Sequence, residues 1–183
     1  MKQIVITVIV LIFVLPMAAR AEMNADLIKA AKRGDKVRVD LLLKSGANPN
    51  AKDSDDFTAL NFASWNDHTE IVQVLIENGA DVNALTKNGE SSLMLASREG
   101  NIDVVKSLIE KGADVNTKDK RGITALMRAS VRGSEEVVKI LIEKGADVNA
   151  KDKYGRTALQ QAAIFKYARY EAVVRLLRVA GAR

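Results

Sequence analysis

The sequence predicts an all-α repeat solenoid, and three observations carry that prediction. The chain repeats itself every 33 residues: Gly-Ala-Asp-Val-Asn stands at 79–83, 112–116 and 145–149, preceded by Gly46-Ala47-Asn48-Pro49-Asn50. On the same period Thr58-Ala59-Leu60 aligns with Ser91-Ser92-Leu93, Thr124-Ala125-Leu126 and Thr157-Ala158-Leu159, and Leu27 and Ala30 fall in register with Leu60 and Ala63. Composition is the third: 48% of residues are hydrophobic but only 4% aromatic, so helix-forming aliphatic residues must build the core. A period of this length marks stacked units, none of which buries its apolar face alone.

The first 21 residues stand outside the period. Lys2 precedes an apolar run from Ile4 to Leu15, Pro16 breaks it, and small residues follow at Ala19 and Ala21. This is the layout of a secretory signal peptide, with cleavage expected after Ala21 and a mature chain starting at Glu22. The alternative, an uncleaved anchor, fits less well, because a run of that length rises only about 18 Å as a helix against roughly 30 Å of bilayer core. The expected location is therefore the periplasm, with release from the cell left open and no membrane attachment after cleavage.

Residues 22–183 then divide into units of about 22–52, 53–85, 86–118, 119–151 and 152–183. In the fourth, Asp119-Lys120-Arg121-Gly122 is a turn signal and Thr124 is placed to cap the helix that follows, which should run to about Arg132. Gly133 ends that helix. Glu135 and Glu136 suit the first turn of the next, and Val137, Val138, Ile140, Leu141 and Ile142 supply its apolar face. The first unit is short and polar at Lys29, Lys32, Arg33 and Lys36, as expected of an N-terminal cap. The last carries three extra residues around Tyr167–Glu171 and ends in Arg175, Arg178 and Arg183, as expected of a C-terminal cap, and polar end units favour a monomer.

A 33-residue unit of this kind resembles the ankyrin repeat, and the resemblance covers the chain from about residue 23 onward. It implies a β-turn followed by two antiparallel helices in each of about five repeats. The family's Thr-Pro-Leu-His signature appears with Ala or Ser for Pro and with Asn61, Met94, Met127 or Gln160 for His. That departure is expected to weaken the hydrogen bonds the family's His makes.

Residues that could do chemistry are sparse. The absence of Cys excludes disulfides, thiolate metal sites and thiol nucleophiles. The single histidine, His68, falls at a helix start and has no clustered partner for a triad or a metal site. Asp55-Asp56 and Glu135-Glu136 are adjacent pairs that cannot face one another across a substrate, Ser130 and Ser134 lack a neighbouring His, and no glycine-rich phosphate loop is present. No enzyme, cofactor or metal is expected. Net charge is +5, and removing Lys2 and Arg20 with the leader leaves 26 basic residues against 23 acidic ones, a weak excess without any nucleic-acid-binding signature.

The resemblance further implies a partner protein held on a concave face made of turn tips and first helices. Carried onto this sequence, it selects nine basic residues (Lys32, Arg33, Lys87, Arg98, Lys120, Arg121, Arg132, Lys153, Arg156) and three acidic ones (Asp55, Glu90, Glu99), a surface suited to an acidic partner. In a chain this poor in aromatics, Phe57 and Trp65 fall on one such unit and Tyr154 and Phe165 on another, with Ile123 between them. Aromatic residues and Arg most often carry interface energy. The expected contact set is thus Phe57, Trp65, Arg98, Arg121, Ile123, Arg132, Tyr154, Arg156 and Phe165. Trp65 has a second reading, folding over Phe57 or Phe62 to stabilise its own repeat, and Phe62 reads as core.

Two functions follow from this reading. One is a non-catalytic binding module of the periplasm. The other is an inhibitor or immunity protein occluding the active site of an envelope enzyme such as a cell-wall hydrolase, lipase or toxin, with Tyr167 and Tyr170 projecting from the end of the stack.

Overall fold

The computed structural model describes residues 17–165 and 167–183. The apolar run of the expected signal peptide, residues 4–15, lies outside the described residues. Among the described residues ten helices form five pairs: α1 (Met17–Arg33) with α2 (Lys36–Lys44), α3 (Ala59–Trp65) with α4 (Thr69–Glu77), α5 (Ser92–Glu99) with α6 (Ile102–Glu110), α7 (Ala125–Arg132) with α8 (Glu135–Glu143), and α9 (Ala158–Ala162) with α10 (Ala168–Val179). The described residues contain no strand, only an antiparallel bridge between Leu85 and Ser91. Among the described residues no helix is long and apolar enough to cross a membrane.

The first helices of the second to fifth pairs are capped as their sequence requires. Thr58, Ser91, Thr124 and Thr157 each accept a hydrogen bond from the backbone N–H three residues on. First helices stack on first helices and second on second, so one continuous apolar core runs from Leu27 to Leu177. Each buried Leu or Ile in it contributes about 1.5–3 kcal/mol, mostly by contact between units rather than within one.

Polar ladders hold the stack in register. The side-chain amides of Asn50, Asn83, Asn116 and Asn149 donate to the carbonyls of Gly79, Gly112, Gly145 and Gly181 in the next unit. Their oxygens accept from the backbone N–H of Asp81, Asp114, Asp147 and Arg183 at 2.7–2.9 Å. The recurring Asn is therefore a staple between neighbours. A second ladder joins the turn tips, with N–H of Lys87, Lys120 and Lys153 donating to the carbonyls of Asp55, Asn88 and Arg121 in the preceding unit at 2.8–3.0 Å.

Two expectations are revised here. Replacing the family's His does not weaken its hydrogen bonds everywhere: Asn61 Oδ1 accepts from Thr58 N–H at 2.9 Å while its amide donates to Ser92 Oγ of the next unit at 2.9 Å, and Gln160 accepts from Thr157 N–H at 3.0 Å. Asn and Gln carry the same acceptor–donor pair as an imidazole, whereas Met94 and Met127 fill the position as buried apolar groups. Tyr170 does not project from the stack. It is only 4% exposed, and its hydroxyl donates to the carbonyl of Val131 at 3.1 Å; Tyr167, 67% exposed, is the one that faces outward.

Candidate partner-binding face

The turn tips and the first helices α1, α3, α5, α7 and α9 together form one side of the stack, called the inner face below. Each tip is a tight loop closed by a backbone bond: Asp53 N–H to Phe57, Thr86 to Glu90, Asp119 to Ile123 and Asp152 to Arg156, at 2.9–3.1 Å. In three of them the opening Asp also accepts two backbone N–H groups of its own loop through Oδ1, at 2.8–3.0 Å. The loop is thus organised by a carboxylate at its base, which directs the next side chains outward.

At the N-terminal end of the inner face, Phe57 stacks on Phe62 with ring centroids 4.9 Å apart and on Trp65 at 6.2 Å. Trp65 carries the Arg98 guanidinium over its ring at 4.7 Å and donates from Nε1 to Glu99 Oε1 at 3.1 Å. It therefore does bridge units two and three as a structural element, yet remains 37% exposed. Phe62 is core, as expected, with the Lys32 ammonium over its ring.

In the middle, Arg128 is partly buried on α7 between two carboxylates, Glu90 Oε1 at 2.7 Å and Asp119 Oδ2 at 3.2 Å. Glu90 is shared with Arg98, and Asp119 with Arg121. Burial pulls the Arg128 guanidinium below its ordinary pKa, Glu90 and Asp119 oppose that, and the neighbouring Arg121 and Arg98 add to the lowering. An Arg remains charged regardless. The next loop repeats the motif with Asp152, which pairs with Arg156 at 2.8 Å and accepts from the Gln161 amide at 3.2 Å. Burial pushes the Asp152 carboxyl up, but the backbone and guanidinium of Arg156 and the Tyr154 N–H outweigh it and hold the pKa below the usual carboxylate value.

These pairs change the charge of the face. Glu90, Asp119 and Asp152 are buried anions that neutralise Arg98, Arg121, Arg128 and Arg156 in part. The cations left without an ion pair among the described residues include Lys87, Lys120 and Lys153 at the tips and Arg132 at the end of α7. Sequence reasoning missed Arg128, Asp119 and Asp152. The Asp at 53, 119 and 152 on the 33-residue period was the available signal, but the pairing of Arg128 with Glu90 links residues 38 apart and exists only once the units stack.

Between α5, α7 and α9 lies a groove of about 360 Å³ lined by Arg98, Ile123, Met127, Arg128, Val131, Arg132 and Gln161. It joins three of the nine expected contact residues, Arg98, Ile123 and Arg132. Beside it Phe165 stacks on Tyr170 at 4.6 Å, and through Tyr170 it reaches Val131. Tyr154, 67% exposed, stands on the last tip under the cations of Lys153 and Arg156 at 4.8 and 4.9 Å. Phe57 and Trp65 form an N-terminal group that adjoins the groove through Arg98, whose guanidinium lies over the Trp65 ring. His68 packs elsewhere, its ring over Gly34 where a Cβ would meet Cε1 at 2.7 Å, and among the described residues no group of three His, Asp or Glu side chains is placed to hold a metal.

The architecture defines a helical repeat solenoid whose units are a closed turn followed by two antiparallel helices. A family model described as ankyrin repeats (3 copies) matches residues 27–119 and again 93–183, and the chain belongs to the ankyrin-repeat family. Repeats of this family generally mediate protein–protein interaction and are typically non-catalytic. A comparison with curated proteins gives no match.

Proposed function

We propose that this protein is a non-catalytic binding module of the periplasm that holds a partner protein, with an acidic surface, on its inner face. The observation that carries the reading is the apolar surface left uncovered at the C-terminal half of that face, where Val131, Tyr154, Ile164 and Phe165 are 37–67% exposed beside the unpaired cations Lys120, Lys153 and Arg132. Lys2, the Ile4–Leu15 run and the small residues at Ala19 and Ala21 support export. Cleavage after Ala21 is compatible with the fold, because residues 17–21 are mostly exposed and the first buried residue of α1 is Leu27.

The experiment is a capture from envelope extract with the chain from Glu22 onward. Beside it run the variant Tyr154→Ala with Phe165→Ala and an outer-surface control, Lys106→Ala with Lys139→Ala. A partner retained by wild type and control but lost by the inner-face variant supports the reading. Retention by all three refutes it.

A second reading, an inhibitor of an envelope enzyme, is favoured by one feature. Ile164 and Tyr167, 66% and 67% exposed between α9 and α10, are apolar side chains free to enter a cleft. If the captured partner is an enzyme, loss of its turnover on adding this protein selects that reading, and unchanged turnover selects the holding role.

A further inference from the structure

The groove between α5, α7 and α9 carries chemistry more specific than general attraction for acidic surfaces. Its Arg98 is already paired with Glu90 at 3.5 Å and Glu99 at 3.2 Å, and its Arg128 with Glu90 and Asp119. Arg132 differs from both. Its Nε donates to the backbone carbonyl of Glu99 at 3.1 Å, which fixes the plane of the guanidinium, while among the described residues no carboxylate lies within ion-pair distance of it. A held guanidinium with free Nη donors is a preorganised fork for one planar carboxylate.

The space next to that fork is apolar, with Ile123, Met127 and Val131 contributing its floor. About 360 Å³ lies at the small end of ligand-binding cavities and suits one or two side chains. A phosphate or other multiply charged anion suits it poorly, since it gains nothing from the floor and would sit near the carboxylates of Glu90 and Glu99.

We infer that the groove is an anchor site for a short segment of the partner protein in which an Asp or Glu adjoins an aliphatic residue. The carboxylate pairs with the Nη atoms of Arg132, and the aliphatic side chain lies over Ile123 and Val131. The inference rests on the inner-face reading above and deepens it, placing charge recognition at a single arginine rather than across the face.

The test uses NMR of the isotope-labelled chain from Glu22 onward, titrated with the capped peptide acetyl-Ala-Leu-Asp-Ala-amide and with its Leu-Asn counterpart. Expected are saturable shifts of the Ile123 and Val131 methyls and of the Arg132 Nε–H with the Leu-Asp peptide. Binding should be on the order of tenfold weaker for the Leu-Asn peptide, and equally so for Leu-Asp binding to an Arg132→Gln variant whose remaining amide spectrum is unchanged. Equal binding of the two peptides, indifference to Arg132→Gln, or the absence of shifts at the groove overturns the inference. The inner-face reading stands or falls separately, because the capture variants Tyr154→Ala and Phe165→Ala substitute no groove-lining residue, and Tyr154→Ala alone removes a side chain that does not touch the groove.

Discussion

Alanine at Gly122 should cost this protein more stability than alanine at Gly155, although both glycines occupy the same position of their loops and have nearly the same backbone, φ +74° and +75°. The left-handed conformation alone penalises an L-residue by about 1–2 kcal/mol, and that part is common to both sites. The surroundings are not. A Cβ at Gly122 would lie 3.1 Å from Asp152 Cα and 3.2 Å from Lys153 N, inside the roughly 3.5–4.0 Å of relaxed contact, and backbone atoms cannot rotate away. Relief requires the two tips to separate, straining the bond from Lys153 N–H to Arg121 O at 2.8 Å. Overpacking of this kind costs about 1–3 kcal/mol, so Gly122→Ala should lose about 2–5 kcal/mol in total. At Gly155 nothing lies within 4 Å of the added methyl, which leaves the conformational part. Gly89, whose Cβ would meet Lys120 N at 3.2 Å, should behave like Gly122. Urea unfolding followed by circular dichroism measures the three variants, and hydrogen exchange at the Lys153 amide reports whether the tip ladder opens in Gly122→Ala. Equal losses at Gly122 and Gly155 would refute the reasoning, since only the contact between units separates them.

Two further outcomes follow from the buried charges. Arg128→Met should destabilise by about 3–5 kcal/mol, because it strands the carboxylates of Glu90 and Asp119 with their remaining pairs longer, at 3.5 and 3.4 Å. Adding Glu90→Gln should recover part of that loss, and strictly additive unfolding energies would show that the two residues are not coupled. Asp152→Asn should cost about 1–3 kcal/mol at neutral pH by weakening charged hydrogen bonds. With the folded pKa of Asp152 held down, its contribution is present above the unfolded value near about 3.9 and is lost as pH falls through the lower folded value. The gap between wild type and variant should therefore narrow as pH falls below the unfolded value, and a gap that widens in acid would contradict the assignment.

The sequence by itself determined the fold, because each unit announces its start and stop locally. Thr124 caps α7 and Gly133 ends it in the left-handed conformation, and the aliphatic face of α8 follows at helical spacing. Local signals of this kind need no knowledge of distant residues, and the 33-residue period multiplies them. Even where unit two departs from the glycine pattern, Asp56 and Asp67 adopt φ +60° and +62°, a conformation Asp tolerates through its short polar side chain. The candidate site was legible only as a set of positions. The resemblance to the ankyrin repeat, carried along the period, implied one face for Arg98, Ile123 and Arg132, but not which arginines are already spent on buried carboxylates. That depends on contacts such as Arg128 with Glu90 and Arg132 with the Glu99 carbonyl, each crossing from one unit to the next. Trp65 shows the same division: its type and register offered it as an anchor or as a cover over Phe57 or Phe62, and the stacking on Phe57 is there, while its bond to Glu99 and the Arg98 guanidinium over its ring come from the next unit. Helix ends and core periodicity are written in short stretches of chain, whereas free charge and exposed apolar area are differences left after stacking, and only the tertiary structure decides them.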